Sequence, residues 1–370
     1  MRIVRTPRIK RVKYHVGENH YNYVFNYDDG YFARWGEHQS DDPDFSPVGP
    51  EIADIEISTI CHQGCSFCYK SNTAKGDNMT LEQFKDIFHK LPKNVCQIAF
   101  GIGSIDANPD LWQIMNYCRF NDYNKVVPNI TINGYRMTDH NYRRLAMLCG
   151  AVAVSNYGKD VCYGAVQHLT HFVNMYKQGA GQPGPANDGI TLRQVNIHQM
   201  LCEETFDTCM ELIDDIQTDP RLKDLNAVVF LIMKPKGSRN KCHQMKDLKR
   251  YRTLIDKAFA AKVRIGFDSC TAPSFLRAVH GRPEYQQLKE CAEPCESTCF
   301  SIYIDVHGNA LPCSFCGGEP GVEPINMMNV TNFMHQVWWS KQFTAFRRKL
   351  LTSQEETGCR QCPMFDVEIR

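Results

Sequence analysis

The sequence predicts an α/β protein, a partial (β/α)6 TIM-like barrel followed by a small cysteine-rich C-terminal domain. Three observations carry this prediction. From Glu51 onward, short apolar runs alternate with longer amphipathic stretches. Just before that point, DDPDFSPVGP brings Pro43, Pro47 and Pro50 close together and reads as a linker. After about Leu288 the alternation stops, and Cys291, Cys295, Cys299, Cys313, Cys316, Cys359 and Cys362 mark a different kind of segment. The expected division is residues 1–50, 51–287 and 288–370.

Each element has its own local signal. The opening MRIVRTPRIKRVK is basic but leads into no apolar run, so it is not a secretory signal. HYNYVFNYDDGYFARWG alternates aromatic residues about Asp28-Asp29-Gly30, the pattern of a β-hairpin. Strands are expected in EIADIEIS, VCQIAFG, VVPNITING, GAVAVSN, TLRQVNIHQM, NAVVFLIM and VRIGFDSC. Helices are expected in TLEQFKDIFHKL, DLWQIMNYCRF, TDHNYRRLAMLC, ETFDTCMELIDDI and KDLKRYRTLIDKAFAA. A helix between successive strands implies parallel pairing, because a parallel crossover needs a dozen or more residues. QGAGQPGPANDG, residues 178–189, is a surface connection or a lid. Near the end, a hairpin is expected to turn at His307-Gly308-Asn309, and VWWSKQFTAFRRKLL reads as a helix.

Composition narrows the function. Of 370 residues, 43% are hydrophobic and 22% charged, with a net charge of +1, so no global field favours nucleic acid or a membrane surface. No apolar run approaches the length of a bilayer span. The 18 cysteines are unusual, and the length argues against a secreted disulfide scaffold. A cytoplasmic protein is expected, in which clustered thiols serve a metal. The scattered ones, Cys96, Cys118, Cys149, Cys162, Cys202, Cys209 and Cys242, serve as small buried apolar groups.

ICHQGCSFCYK places Cys61, Cys65 and Cys68 directly after the first barrel strand, where strand-end loops of α/β barrels carry chemistry. Three thiolates from one tight loop can hold one face of a cubane [4Fe–4S] cluster and leave the fourth iron without a protein ligand. A closed structural site would normally have a fourth cysteine, whereas an open position is what a catalytic metal needs. Zinc with His62 as fourth ligand and simple burial of the thiols are the alternatives, although adjacent Cys61 and His62 make a poor tetrahedral clip.

Cys61-x3-Cys65-x-Phe67-Cys68 resembles the signature of the radical S-adenosylmethionine (SAM) enzymes. The resemblance extends over roughly residues 51–370 and implies that the open iron chelates SAM. FGIGSIDANPDLW resembles the family's glycine-rich SAM loop, with Gly101 and Gly103 in place, Ser104 at the usual acidic position and Ile105 at the usual proline. Asn133 and Ser155, at the ends of the third and fourth strands, match positions near the SAM ribose. Arg193 is a candidate partner for the SAM carboxylate or a surface arginine. Lys234 either faces substrate or is a solvated loop residue. IGFDSC is expected to aim Asp268 and Cys270 at the barrel mouth, Asp268 to orient substrate or move a proton, Cys270 to donate a hydrogen atom or ligate the auxiliary cluster, or either to be inert.

The C-terminal cysteines resemble those of the SPASM auxiliary-cluster domain, and more closely its shortened Twitch version. This implies one auxiliary [4Fe–4S] cluster, held by Cys313, Cys359 and Cys362 with either Cys295 or Cys299, while Cys316 and Cys291 stand by. Zinc is the competing occupant. The resemblance implies radical modification of a peptide or protein side chain, with a flavodoxin or ferredoxin supplying electrons. Oxidation of a small-molecule alcohol is a second reading, and a non-catalytic iron–sulfur or zinc-binding protein a third. The first 50 residues are short for a separate leader-peptide-binding module.

Overall fold

The computed structural model describes residues 1–6, 8–17, 19–178, 189–353 and 359–370. All but the ends of the Gly/Pro segment 178–189 therefore lies outside the described residues.

β1 (Arg2–Arg5), β2 (Ile9–Val16), β3 (Asn19–Asn26) and β4 (Phe32–Trp35) form an antiparallel sheet in that order. The expected hairpin joins β3 to β4, and Gly30 takes a φ of +78° in the turn. The basic opening residues supply two further strands that the sequence reading did not name. On β2, Lys10 and Val12 are buried while Ile9, Arg11 and Lys13 are exposed. The buried Lys10 ammonium donates to the carbonyls of Lys93 (3.2 Å) and Val95 (2.5 Å) and to Asn124 Oδ1 (3.0 Å). It thereby ties the small sheet to the loop entering the large one. The proline-rich segment is equally anchored. Ser46 N–H donates to the Cys299 carbonyl (2.8 Å), Trp338 Nε1–H donates to the Ser46 carbonyl (2.9 Å), and the Asn94 amide donates to Gly49 and Pro50.

The alternating region follows: β5 (Ile52–Glu56), α1 (Leu81–Lys90), β6 (Gln97–Gly101), α2 (Leu111–Phe120), β7 (Val127–Ile132), α3 (Asp139–Leu148), β8 (Ala151–Ser155), α4 (Lys159–Lys177), β9 (Gln194–Leu201), α5 (Phe206–Thr218), β10 (Ala227–Ile232), α6 (Leu248–Ala260) and β11 (Ile265–Phe267). The strands are parallel and neighbour one another in chain order. The sequence reading assigned no element to α4, whose Gly164 and β-branched residues weaken the helical signal. Its Cys162, Val166, Leu169 and Val173 nonetheless repeat at helical spacing and are buried. Helix starts are capped where the sequence provides an oxygen. Thr80 forms a reciprocal capping box with Gln83 at α1, and Asp247 accepts from Lys249 and Arg250 at α6. Side chains such as Ile55 and Phe84 are fully buried between sheet and helices, each contributing ~1.5–3 kcal/mol.

After α7 (Ala272–Val279) and α8 (Tyr285–Cys291), β12 (Ser301–Ile304) pairs in parallel with β5, and β13 (Asn309–Leu311) and β14 (Ile325–Asn326) follow antiparallel. The boundary expected at 287/288 thus falls within α8. Because β5 is bonded to β6 on one side and β12 on the other, its edge is not open to β11, and the barrel remains partial. The β12–β13 turn is the one expected, with Gly308 at φ +79° and the Asp305 carboxylate accepting from the N–H groups of His307 and Asn309. The last expected helix is split. Met334–Trp338 form one π-helical turn, and α9 (Lys341–Thr352) starts afresh where Ser340 Oγ accepts from Phe343 N–H.

Candidate metal and cofactor site

The C-terminal ends of six successive strands close around a cavity of ≈ 290 Å³, lined by Glu56, Gly101, Ile132, Ser155, Met200 and Ile232 among others. Cys61, Cys65 and Cys68 line the same cavity from the loop after β5. Gly64 turns that loop with a φ of +63°. Two glycines of other loops make room for it. A β-carbon on Gly103 would lie 2.2 Å from the Ile60 carbonyl oxygen and 2.8 Å from Cys61 Cβ. One on Gly237 would lie 2.3 Å from the Cys68 carbonyl oxygen. Burial, reinforced by the neighbouring thiols of Cys61 and Cys68, raises the pKa of Cys65, so metal binding there must displace a proton.

Of the expected SAM-contacting residues, Phe67, Gly101, Gly103, Asn133 and Ser155 all line the cavity. Phe67 packs on Tyr157 with ring centroids 5.0 Å apart. Asn133 Nδ2 donates to the Gly103 carbonyl (2.9 Å), so this amide braces the glycine loop. Ser104 stands elsewhere. It is buried behind the cysteine loop, where its N–H donates to the Ile60 carbonyl (3.0 Å) and its hydroxyl accepts from His62 N–H (3.2 Å). Its place on the far side of Gly103 makes it a support for the loop and not a cavity group. His62 itself is exposed.

Arg193 also falls outside the site. It precedes β9, at the opposite end of the strand from the cavity, where it stacks on Tyr176 (3.3 Å to the centroid) and donates to the Asp28 and Ile190 carbonyls. The arginine that does line the cavity is Arg239, in the loop after β10. Its Nη2 donates to the Asn72 carbonyl (2.7 Å), and its buried Nε has no hydrogen-bond partner among the described residues. Sequence reasoning also missed Glu56, the last residue of β5, whose place at a strand's C-terminal end was the available signal. Tyr303 OH donates to its carboxylate (2.9 Å) and Lys70 Nζ lies 3.5 Å away.

Asp268 and Cys270 do not line the cavity. Asp268 pairs with Lys234, Nζ to Oδ2 at 2.5 Å, and it is Lys234 that reaches the cavity wall. Burial opposes the Lys234 ammonium, but the Asp268 carboxylate holds its pKa above the ordinary lysine value. Cys270 turns instead toward the C-terminal thiols, within hydrogen-bonding reach of Cys295 and Cys362. Cys313 and Cys316 lie with their sulfurs 3.3 Å apart, and Cys362 is close enough to perturb Cys313. Cys299 is buried in the same cluster as Cys295, near Arg360 and Arg347, while Cys291 is exposed and Cys359 buried. Phe315, between Cys313 and Cys316, enters the first cavity. It stacks on Tyr69 at 4.3 Å and lies 4.5 Å beneath Lys234 Nζ. The segment that carries Cys313 and Cys316 thus also reaches the cavity lined by Cys61, Cys65 and Cys68.

A three-thiol loop shaped by two glycines, an open cavity beside it and a second convergence of thiols form the donor set that iron–sulfur clusters use. The residues fit such groups at both places.

The comparisons agree with this geometry. Residues 55–155 match the family model of the radical SAM superfamily, and residues 295–363 match that of the SPASM iron–sulfur cluster-binding domain. No curated protein sequence matches the chain. Among solved structures, Streptococcus suis SuiB bound to S-adenosylmethionine aligns with a TM-score of 0.59 at 14% identity, over 84% of this chain and 69% of that one. SuiB bound to precursor peptide SuiA aligns at 0.61 and 13%, over 84% and 70%. Native anSMEcpe with bound AdoMet and Cp18Cys peptide aligns at 0.55 and 16%, over 80% and 82%. At these identities the likeness is one of fold. The two matched domains imply [4Fe–4S] clusters, one with SAM and one auxiliary. The chain thus carries a match to the radical SAM superfamily over residues 55–155 and a C-terminal match to the SPASM iron–sulfur cluster-binding domain over residues 295–363.

Proposed function

We propose that this protein is a radical SAM enzyme that modifies a peptide side chain, with Cys61, Cys65 and Cys68 holding the SAM-binding cluster. The observation that carries the reading is the position of these thiols on the lip of a cavity built from strand ends. When bound and reduced, the cluster would supply the one electron that splits SAM into methionine and a 5′-deoxyadenosyl radical able to take a hydrogen atom from substrate. Gly101 and Gly103 allow main-chain groups to approach the cofactor, and Phe67, Asn133 and Ser155 bound its nucleoside part. Arg239, with an unpartnered buried N–H, takes the carboxylate role expected of Arg193. Glu56 supplies the acidic group of the cavity, which Ser104 at the usual acidic position does not.

The auxiliary cluster draws its ligands from Cys295, Cys313 and Cys362 with Cys270 and Cys316 beside them, a reading supported by the thiol contacts. Cys359, buried two residues before Gln361 and next to Arg360, whose Nη1 donates to the Cys295 carbonyl (3.4 Å), remains within the ligand set. Lys234 and Phe315 stand between this group and the cavity and present a held ammonium and an apolar wall to substrate. The peptide substrate is supported by the shared fold with SuiB and anSMEcpe, each seen with a peptide. A flavodoxin or ferredoxin is the proposed electron donor, in a cytoplasmic setting.

The test is SAM cleavage. Anaerobically reconstituted protein given dithionite and SAM is expected to release 5′-deoxyadenosine, and Cys65→Ala to release none. Fully iron-loaded protein that yields no 5′-deoxyadenosine would refute an enzymatic role.

A further inference from the structure

We propose that Cys202, Glu204 and Cys242 form a zinc site that clamps the loop after β9 to the loop after β10. The two sulfurs and a carboxylate oxygen all lie within 4.8 Å of one another. That convergence suits a single ion. Zinc takes sulfur at ~2.3 Å and carboxylate oxygen at ~2.0–2.2 Å in a tetrahedron, which sets ligand atoms roughly 3.3–3.8 Å apart. Two soft thiolates with one carboxylate favour zinc over magnesium or calcium, which take oxygen alone.

The surroundings hold each donor in place. Cys202, the first residue past β9, is buried; its N–H donates to Thr205 Oγ1 (3.1 Å), and the Thr205 hydroxyl donates to the Met200 carbonyl (2.7 Å). The Glu204 carboxylate accepts from the backbone N–H of His243 (3.0 Å) and meets His243 Nδ1 at 2.6 Å. Such a carboxylate–histidine pair orients a metal-binding carboxylate. The two loops are also joined by Glu203 N–H donating to the His243 carbonyl (3.0 Å). Cys242 is only half-buried, unlike the other cysteines expected to act as apolar filling, and its N–H donates to Asn240 Oδ1 (3.1 Å). Asn240 and Arg239 line the cofactor cavity. An ion bridging Cys202 and Cys242 therefore fixes the loop that presents these two residues, and a water completes its coordination.

The site is separate from both groups of cluster cysteines, so its test does not depend on SAM chemistry. The anaerobically purified holoprotein, from cells grown with added zinc, is analysed for zinc and iron together. About one zinc per chain is expected, with an X-ray absorption edge fitted by two sulfurs at ~2.3 Å and two oxygen or nitrogen ligands. Cys202→Ser and Cys242→Ser are each expected to lose the zinc while retaining the iron and its visible absorption, which shows that the variants fold. Glu204→Gln removes a charged ligand and is expected to lose zinc to a chelator that the wild type withstands. The proposal is overturned if zinc in the wild type is below about one-fifth per chain, or stays bound in Cys242→Ser. A shell of four sulfurs, which would place zinc at the cluster cysteines, or a Cys202–Cys242 disulfide in the anaerobic protein overturns it equally.

Discussion

Gly103 shows how much of the site rests on a missing side chain. A methyl group there would meet the Ile60 carbonyl oxygen at 2.2 Å, well inside contact distance, and the Cys61 Cβ at 2.8 Å. Gly103→Ala must push the cysteine loop outward, and is expected to lower iron loading at the first site while leaving the fold intact. Iron analysis with circular dichroism checks this, and unchanged iron with unchanged helicity would show that the loop yields freely. The sequence announced this glycine. It did not announce that Ser104 braces the loop from behind, since a one-residue step decides which face of the turn a hydroxyl meets. Nor could it separate Arg193 from Arg239 by residue type. A strand of the length of β9 carries its two ends ~23 Å apart, and only the arginine beyond a strand's C-terminal end can reach the cavity.

At the scale of the element, β9 puts Val195, Ile197 and Leu201 on its buried face and Asn196, His198 and Met200 on the other. Met200 lines the cavity, so His198 lies one layer below it on the same face. Burial lowers the His198 pKa from 6.5 to about 4, with Asp268 opposing the shift. The neutral ring is thus favoured by folding. Between pH 6.5 and 4 the unfolded chain binds a proton that the folded one does not, so stability is lost as pH falls through this window. His198→Gln is expected to flatten the acid limb of a stability–pH curve from chemical denaturation, whereas an unchanged slope would assign that limb to other groups. The period-two pattern of β9 was legible in TLRQVNIHQM. The nearness of Asp268 was not, because it depends on β10 and β11 bringing their own ends alongside.

At the scale of the whole molecule, three sequence-distant segments meet at Arg34. Its Nη1 lies 3.0 Å from Glu51 Oε2 and 3.1 Å from Glu296 Oε1, linking the small N-terminal sheet, the entry to β5 and the C-terminal domain. Glu51 is 1% exposed, and burial raises its pKa to about 8 against the opposing pull of Arg34. Arg34→Met leaves the buried Glu51 and part-buried Glu296 carboxyls without their cation and is expected to cost ~3 kcal/mol above about pH 8, where both are ionised. The loss should shrink as the pH falls and both carboxyls take up protons, which parallel denaturant titrations of wild type and variant at two pH values will reveal. A loss independent of pH would reduce Arg34 to a packing role, over the Phe300 ring at 3.6 Å.

The sequence by itself determined the parallel α/β architecture, the hairpin turns and the first three-thiol loop, because strand length, helical period and turn chemistry act over a few neighbouring residues. Only the tertiary structure decided that β12 closes the edge of β5, that Phe315 reaches into the first cavity, and that the Cys270 thiol meets Cys295 and Cys362. Those outcomes are distances between segments far apart in the chain. They are set by how layers pack, and no local spacing encodes them.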